Sequence, residues 1–180
     1  MLYIVATPIG NLKDITLRAI ETLKTVDLIA CEDTRHSKIL LQRYGINTPL
    51  TSYFAHNQLI KGKQLIKLLQ EGKDIALISD AGMPGILDPG YQIINLAIAN
   101  KIPLTVIPGP CALLNALVLS GKPAHQFVFE GFLPPRAISR QNRLKKLAGL
   151  AHTVIFYESS HRIIPALKDV ALIYGEKEIV

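Results

Sequence analysis

Polar residues follow four short apolar runs, at positions where the chain could do chemistry. The segments are Thr7–Leu12, Glu32–Arg35, Ser79–Gly85 and Tyr157–Arg162. Each apolar run predicts a buried strand, and proteins with parallel sheets bind ligands at the carboxyl ends of their strands. The sequence therefore predicts a ligand site assembled from these loops, although tight turns and helix caps would use the same residue types.

The side chains in these loops indicate what such a site could do. The carboxylate of Asp80 could hold ribose hydroxyls or face a cation, and Gly82 would let a ligand approach the backbone closely. The pair Glu32-Asp33 lies close to Arg35 in the sequence. These residues could form a polar patch that faces the substrate, or Asp33 could cap a helix and pair with Arg35. His161 could act as a general base, contact phosphate or serve a structural role.

Several enzyme classes are disfavoured by motifs that the chain lacks. It contains no G-x-G-x-x-G, no G-x-x-x-x-G-K-[ST] and no G-x-S-x-G segment, which speaks against dinucleotide oxidoreductases, P-loop NTPases and α/β-hydrolases. Cys31 and Cys111 lie in apolar runs without metal-ligand spacing, so we expect reduced thiols and no metal site.

Positive charge is concentrated in two acid-free stretches. The chain carries 20 Lys and Arg against 14 Asp and Glu, a net charge of +6. No acid lies between Asp33 and Glu71 or between Glu130 and Glu158. Stretches of one sign attract phosphates, and solvated helix faces are the other interpretation.

Apolar runs of strand length alternate with helical patterns along the whole chain, which predicts an α/β fold with largely parallel sheets. The Pro108-Gly109-Pro110 step predicts a boundary between an N-terminal α/β domain, 1–108, and a C-terminal one, 109–180. The second would be incomplete, because Glu178–Val180 reads as the beginning of an interrupted strand. No apolar run spans a membrane, and we expect a soluble cytoplasmic protein.

Six segments occur together in an order that resembles one family. They are PIGNL, CEDTR, SDAGMPGILDPG, PGPCA, EGFLP and FYESSHR. The chain is similar to the ribosomal RNA small subunit methyltransferase I family of the tetrapyrrole, or class III, methylase superfamily. Cys31 and Cys111 stand where small residues such as Ala and Ser are more usual in that family. Family members continue for roughly half as much chain again, in keeping with the length scale of two α/β domains.

The resemblance implies two small αβα domains with S-adenosylmethionine in the cleft between them. It implies 2′-O-methylation of a cytidine ribose in small-subunit (16S) ribosomal RNA or the assembled 30S subunit, by a homodimer. A corrin or porphyrin methyltransferase of the same fold and an inactive RNA-binding module are the alternatives.

The resemblance and the general chemistry of methyl transfer also suggest roles for single residues. The cofactor site would contain Ile9, Gly10, Asp80, Gly82, Met83, Cys111, Ala112 and Tyr157. Methyl transfer to a hydroxyl needs a proton acceptor, for which Asp33 and His161 are candidates. Arg35, Arg140 and Arg143 are candidates for phosphate contacts.

Overall fold

A computed structural model describes all residues from Met1 to Val180. The chain forms two compact units, Met1–Cys111 and Ala112–Val180. The predicted α/β class with parallel sheets is confirmed by both units. The assignment of domains at 1–108 and 109–180 stays a prediction.

The first unit alternates strands and helices along the chain. Its elements are β1 (Leu2–Val5), a 3-10 turn (Leu12–Asp14), α1 (Leu17–Thr25), β2 (Leu28–Cys31), α2 (Thr34–Arg43), β3 (Leu50–Ser52), α3 (Gln58–Gln70), β4 (Ile75–Ile78), α4 (Tyr91–Ala99) and β5 (Leu104–Ile107). The five strands form one parallel sheet in the order β3-β2-β4-β1-β5.

Side chains alternate across this sheet and fill an apolar layer on each face. Val5 and Ile78 point to the face covered by α1 and α2, whereas Ile4 and Leu77 point to the face covered by α3 and α4. All four are at most 2% exposed. Full burial of such a side chain contributes about 1.5–3 kcal/mol, so the two layers stabilise the carboxyl end of the sheet.

The order of the strands creates one crevice at the carboxyl edge of the sheet. β1 and β4 are neighbours, yet the chain leaves β1 toward the α1 face and leaves β4 toward the α4 face. The two connecting loops therefore diverge from adjacent strand ends. A parallel sheet has its ligand crevice at such a point.

The second unit is smaller. It contains α5 (Ala112–Ser120), β6 (Phe127–Phe132), α6 (Ala137–Leu147), β7 (Thr153–Tyr157) and α7 (Ile163–Tyr174). β6 and β7 are parallel, with a shift in register between Phe129 and Gly131, where Gly131 has φ +77°. Leu133, Leu144 and Val170 form its apolar core.

Asp14, Asp88 and Ser160 are of residue types that favour helix N-caps, but none of them caps the helix that follows it. α1 is capped by Thr16, whose hydroxyl accepts from the N–H of Ala19, rather than by Asp14. α4 follows Gly90, so Asp88 and Pro89 lie in the preceding loop. α7 begins after Arg162 with no side-chain cap, and Glu178–Val180 forms no strand.

Candidate functional site

The loops after β1 and β4 are joined directly to each other. Thr7 and Gly82 exchange two backbone hydrogen bonds, with N···O distances of 2.9 and 3.1 Å. The buried hydroxyl of Thr7 also donates to the carbonyl of Ser79 at 3.0 Å, and the hydroxyl of Ser79 donates to the carbonyl of Gly82 at 3.2 Å. These bonds fix the backbone of both loops at the crevice.

Two glycines, Gly82 after β4 and Gly109 after β5, occupy positions that restrict a side chain. Gly82 has φ +85°, and a Cβ there would lie 3.4 Å from Cγ2 of Ile9 and 3.8 Å from the carbonyl oxygen of Pro110. Gly109 approaches β1 so closely that a Cβ would lie 2.9 Å from the Cβ of Ala6. The segments after three strands therefore converge at Gly82 in a cradle lined by the Ile9 side chain and the Pro110 carbonyl.

Asp33 is held by its own neighbour. Its carboxylate caps α2, accepting from the backbone N–H of Arg35 at 2.8 Å, and it also accepts from Nη2 of Arg35 at 2.8 Å. The hydrogen bonds from Arg35, side chain first, lower the pKa of Asp33 to about 2. A carboxylate with so low a pKa binds a proton weakly, which makes Asp33 a poor general base near neutral pH.

Two other carboxylates near Asp80, those of Glu32 and Asp88, have raised pKa values. Burial, followed by the charges of Asp80 and Asp88, raises the pKa of Glu32. Burial raises the pKa of Asp88 as well, with Asp80 adding to the effect. Asp80 accepts a hydrogen bond from the backbone N–H of Asp33 at 3.3 Å, which fixes its carboxylate beside the end of β2.

Glu32 and Asp88 were not singled out from the sequence as separate site residues. Glu32 lies in the CEDTR segment, but nothing in the sequence shows which of its two acids would pair with Arg35. Seven residues, Ala81–Leu87, separate Asp88 from Asp80, and the backbone at Gly85 lies close to Gly90, just beyond Asp88. Burial and nearby like charges raise the pKa of a carboxyl group, and both depend on the folded chain rather than on the local sequence.

A cavity of about 70 Å³ lies between the two joined loops and α2. Thr7, Ser79 and Asp80 line one side, and His36 and Ser37 line the other. Ser37 is buried, and its hydroxyl faces the thiol of Cys31, which is a weak hydrogen-bond partner. The hydroxyl makes no other hydrogen bond. Burial raises the pKa of the Cys31 thiol, so Cys31 is a protonated core residue at neutral pH.

Two predicted site residues of the second unit, Tyr157 and His161, lie at or just after the carboxyl end of β7. The hydroxyl of Tyr157 accepts from the backbone N–H of Leu113 at 3.0 Å, and its ring lies edge-to-face against Phe129 and Phe132. Tyr157 therefore anchors the first turn of α5. His161 is exposed in the turn after β7.

All three arginines predicted to contact phosphate already bind carboxylates. Arg35 pairs with Asp33, as described, and Nη2 of Arg143 donates to Glu130 at 2.7 Å. Arg140 is buried, donating to Asp169 through Nε at 2.7 Å and to the carbonyl of Pro135 at 3.1 Å. Arg140 therefore connects α6 to α7, and Arg35 and Arg143 would have to exchange a carboxylate for a phosphate.

The first unit brings Ile9, Gly10, Asp33, Asp80 and Gly82 to the carboxyl edge of one sheet. Met83 follows Gly82 and packs against the apolar layer under α3 and α4. Cys111 ends the first unit, and Ala112 begins α5 of the second. No group of three or more His, Cys, Asp or Glu side chains is arranged to hold a metal ion, and no helix is long and apolar enough to cross a membrane.

The chain belongs to the tetrapyrrole (corrin/porphyrin) methylase family, whose model matches residues 1–180. This places the joined β1 and β4 loops within a methylase fold. Within that family, the chain groups with ribosomal RNA small subunit methyltransferase I, as the resemblance of its six segments predicts.

Relatives of that name are similar over nearly the whole chain. The one from Escherichia coli O157:H7 is 49% identical over 179 residues, and the match covers 99% of this chain and 63% of the relative. The one from Thermotoga maritima is 46% identical over 178 residues, covering 99% of this chain and 80% of the relative. The chain thus spans somewhat less than two thirds of the length of the Escherichia coli relative.

Solved structures share the fold at low identity. Uroporphyrin-III-C-methyltransferase from Thermus thermophilus superposes with a TM-score of 0.65 at 21% identity, covering 95% of this chain and 72% of that one. Diphthine synthase superposes with a TM-score of 0.71 at 14% identity, covering 95% and 70%. Both confirm the tetrapyrrole-methylase-like fold.

Proposed function

We propose that the protein containing this chain transfers a methyl group from S-adenosylmethionine to the ribose 2′-hydroxyl of a cytidine in small-subunit ribosomal RNA. The observation that carries the proposal is the near-complete match to proteins named ribosomal RNA small subunit methyltransferase I, at 46–50% identity in six organisms. The structural neighbours named for uroporphyrin support only the fold, at 21% identity or less.

The carboxyl edge of the first unit fits one part of S-adenosylmethionine. The cradle at Gly82 offers backbone groups to a ligand, and its φ of +85° favours a residue without a Cβ. Asp80, with Glu32 and Asp88 near it, supplies negative charge suited to a sulfonium or an ammonium group. We propose Ile9, Gly10, Asp80, Gly82 and Met83 as cofactor-binding residues.

The family resemblance implies three further cofactor contacts, at Cys111, Ala112 and Tyr157. Cys111 and Ala112 stand at the junction of the two units, and Tyr157 fixes the first turn of α5, which begins at Ala112. The proposed roles of Cys111, Ala112 and Tyr157 rest on the family resemblance. Once bound, the cofactor supplies an electrophilic methyl group that needs no metal or redox partner.

The main task of the protein residues is alignment of the ribose hydroxyl. Holding two reacting groups in line lowers the activation free energy by on the order of 7–11 kcal/mol. The hydrogen bonds between Thr7 and Gly82 keep the two loops fixed relative to each other, which preserves such an alignment.

The hydroxyl must also lose a proton as the new bond forms. We propose that the Glu32 carboxylate accepts it, because its raised pKa makes it a stronger base than Asp33. His161, exposed after β7, is the second candidate. A positioned acceptor accelerates a reaction by roughly 10²–10⁴-fold.

The experiment is methyl transfer from labelled S-adenosylmethionine to 30S subunits and to naked 16S ribosomal RNA, using the full-length natural protein. Label in 2′-O-methylcytidine supports the proposal. Cofactor binding without label in any nucleotide refutes it and directs attention to tetrapyrrole substrates. RNA binding without cofactor binding would favour an inactive RNA-binding module.

Three variants identify the acceptor. Glu32→Gln should lower kcat by about 10²-fold or more and remove the acid limb of the pH–rate profile. Asp33→Asn, which keeps an oxygen able to cap α2, should lower kcat much less. If His161→Gln removes the limb and Glu32→Gln does not, His161 is the acceptor. Light scattering on the same preparation tests the proposed homodimer.

A further inference from the structure

A second recess lies beside α2, away from the joined loops. We call it the α2 groove and define it by Thr34, Lys38, Leu41 and Gln42 of α2 and by residues 46–50 of the following segment. It is open to solvent, with a volume of about 500 Å³. That volume lies within the ordinary range for ligand pockets, about 300–1,000 Å³.

The only charged residue that lines the α2 groove is Lys38. Its ammonium group has no carboxylate partner, in contrast to the three paired arginines described above. The surrounding sequence adds no acid, because residues 34–70 contain no Asp or Glu. The groove therefore presents a positive charge that nothing in its own stretch of chain neutralises.

The walls combine an apolar floor with free amide groups. Leu41 and Ile46 are buried, and Pro49 and Leu50 continue the apolar surface. The side-chain amides of Gln42 and Asn47 make no hydrogen bond within the chain, so their donors and acceptors are available. Such a lining suits the sugar and phosphate groups of a nucleic-acid strand.

The groove begins next to the proposed reaction site. Thr34, the first residue of α2, lines one end of the groove and directly follows Asp33. The backbone N–H of Asp33 donates to Asp80 at 3.3 Å. A strand with its reacting nucleotide near Asp80 could continue along α2 past Lys38. The groove therefore extends the proposed site along one helix, within the first unit alone.

We propose that the α2 groove holds the sugar–phosphate backbone of single-stranded RNA flanking the reacting nucleotide, with Lys38 bound to a phosphate. This inference rests on the proposed function for the identity of the strand. The absence of acid and the single unpaired cation favour a polyanion over a folded protein partner, whose surface carries both signs of charge.

The test compares Lys38→Gln with Lys24→Gln. Lys24 is an exposed lysine in the last turn of α1, outside the groove, and its loss changes the net charge equally. Binding is measured with a labelled single-stranded oligoribonucleotide and with 30S subunits, between 0.05 and 0.5 M salt. Lys38→Arg is the variant expected to retain binding.

The salt dependence of single-strand binding sets the expected effect. One phosphate contact contributes a slope of about 0.7 in log K against log salt, so Lys38→Gln should weaken binding about 8-fold at 0.05 M and about 4-fold at 0.15 M. In the methylation assay, KM for the RNA should rise and kcat should stay nearly constant. Lys24→Gln should leave both quantities near those of the parent.

Equal affinities and slopes for the two glutamine variants would overturn the proposal, as would a loss with Lys38→Gln that does not change with salt. Competition by an acidic peptide, without competition by RNA, would overturn it in favour of a protein partner. Failure of the proposed function is distinguishable, because it abolishes methyl transfer for the parent while the binding measurements still report on Lys38.

Discussion

The close approach of Gly109 to β1 allows a sharp test of the packing beneath the joined loops. An alanine Cβ at position 109 would lie 2.9 Å from the Cβ of Ala6, a residue only 1% exposed. Two carbon atoms in favourable contact are about 3.5–4.0 Å apart. Gly109→Ala must therefore displace the end of β5 from β1, or move both.

The size of the effect follows from the local geometry. Overpacking of this kind costs about 1–3 kcal/mol of the free energy of unfolding. Ala6→Gly removes a buried methyl group, for about 0.8 kcal/mol, and adds a backbone cost of about 0.5–1 kcal/mol. The double variant moves one methyl group across the contact, so the clash disappears. Its destabilisation should be at least about 1 kcal/mol smaller than the sum of the two single changes.

Native-state hydrogen exchange of the β1 amides measures this directly, because it reports the stability of the first unit. Gly149→Ala is the control, since a Cβ there would meet nothing nearer than the carbonyl oxygen of Lys146 at 4.0 Å. Two results would refute the reasoning: a Gly109→Ala protein as stable as the control, or a double variant whose loss equals the sum.

Three further outcomes are expected. Arg140→Met should lower the thermal midpoint of the second unit by about 5 °C or more, because it leaves the Asp169 carboxylate without its buried partner; an unchanged melting curve by circular dichroism would disprove the structural role. Arg35→Ala should raise the pKa of Asp33 from about 2 toward 3.8. The stabilising effect of this carboxylate is present above pH 3.8 and is lost as the pH falls toward 2. The free energy of unfolding of the variant, measured with urea, should therefore fall less between pH 4 and pH 2 than that of the parent, and NMR titration gives the pKa of Asp33 directly. Thr7→Val should cost about 1–2 kcal/mol in urea unfolding, because it removes the hydrogen bond to the buried carbonyl of Ser79; a loss below about 0.3 kcal/mol would show that this bond does not hold the loops.

The fold was predictable from the sequence because hydrophobic spacing and short apolar runs are local signals. DIALIS predicts a strand over 74–79, and β4 occupies Ile75–Ile78. Helix starts were less predictable, since several residues near each start can cap it. Asp14 and Thr16 are both suitable residue types for capping α1, and the folded chain uses Thr16.

The candidate site was predictable at the level of loops and not of side-chain partners. Asp33 and Arg35 stand two positions apart, and only the folded helix start shows that they pair and that Glu32 stays available as a base. Arg140 lies among exposed basic residues in the sequence, yet in the folded chain it is buried and paired with Asp169, 29 positions away. Such partners are distant in sequence, and charge counting does not reveal them.

The central place of β1 in the sheet affects how the chain is made. β1 is synthesised well before its two neighbours in the sheet, β4 and β5, which begin at Ile75 and Leu104. At about 5–20 residues per second, the apolar segment Leu2–Val5 waits on the order of 5–20 s before both neighbours exist. During that interval β1 lacks a sheet partner on one or both sides, so the first unit can complete its sheet only after β5 has been made.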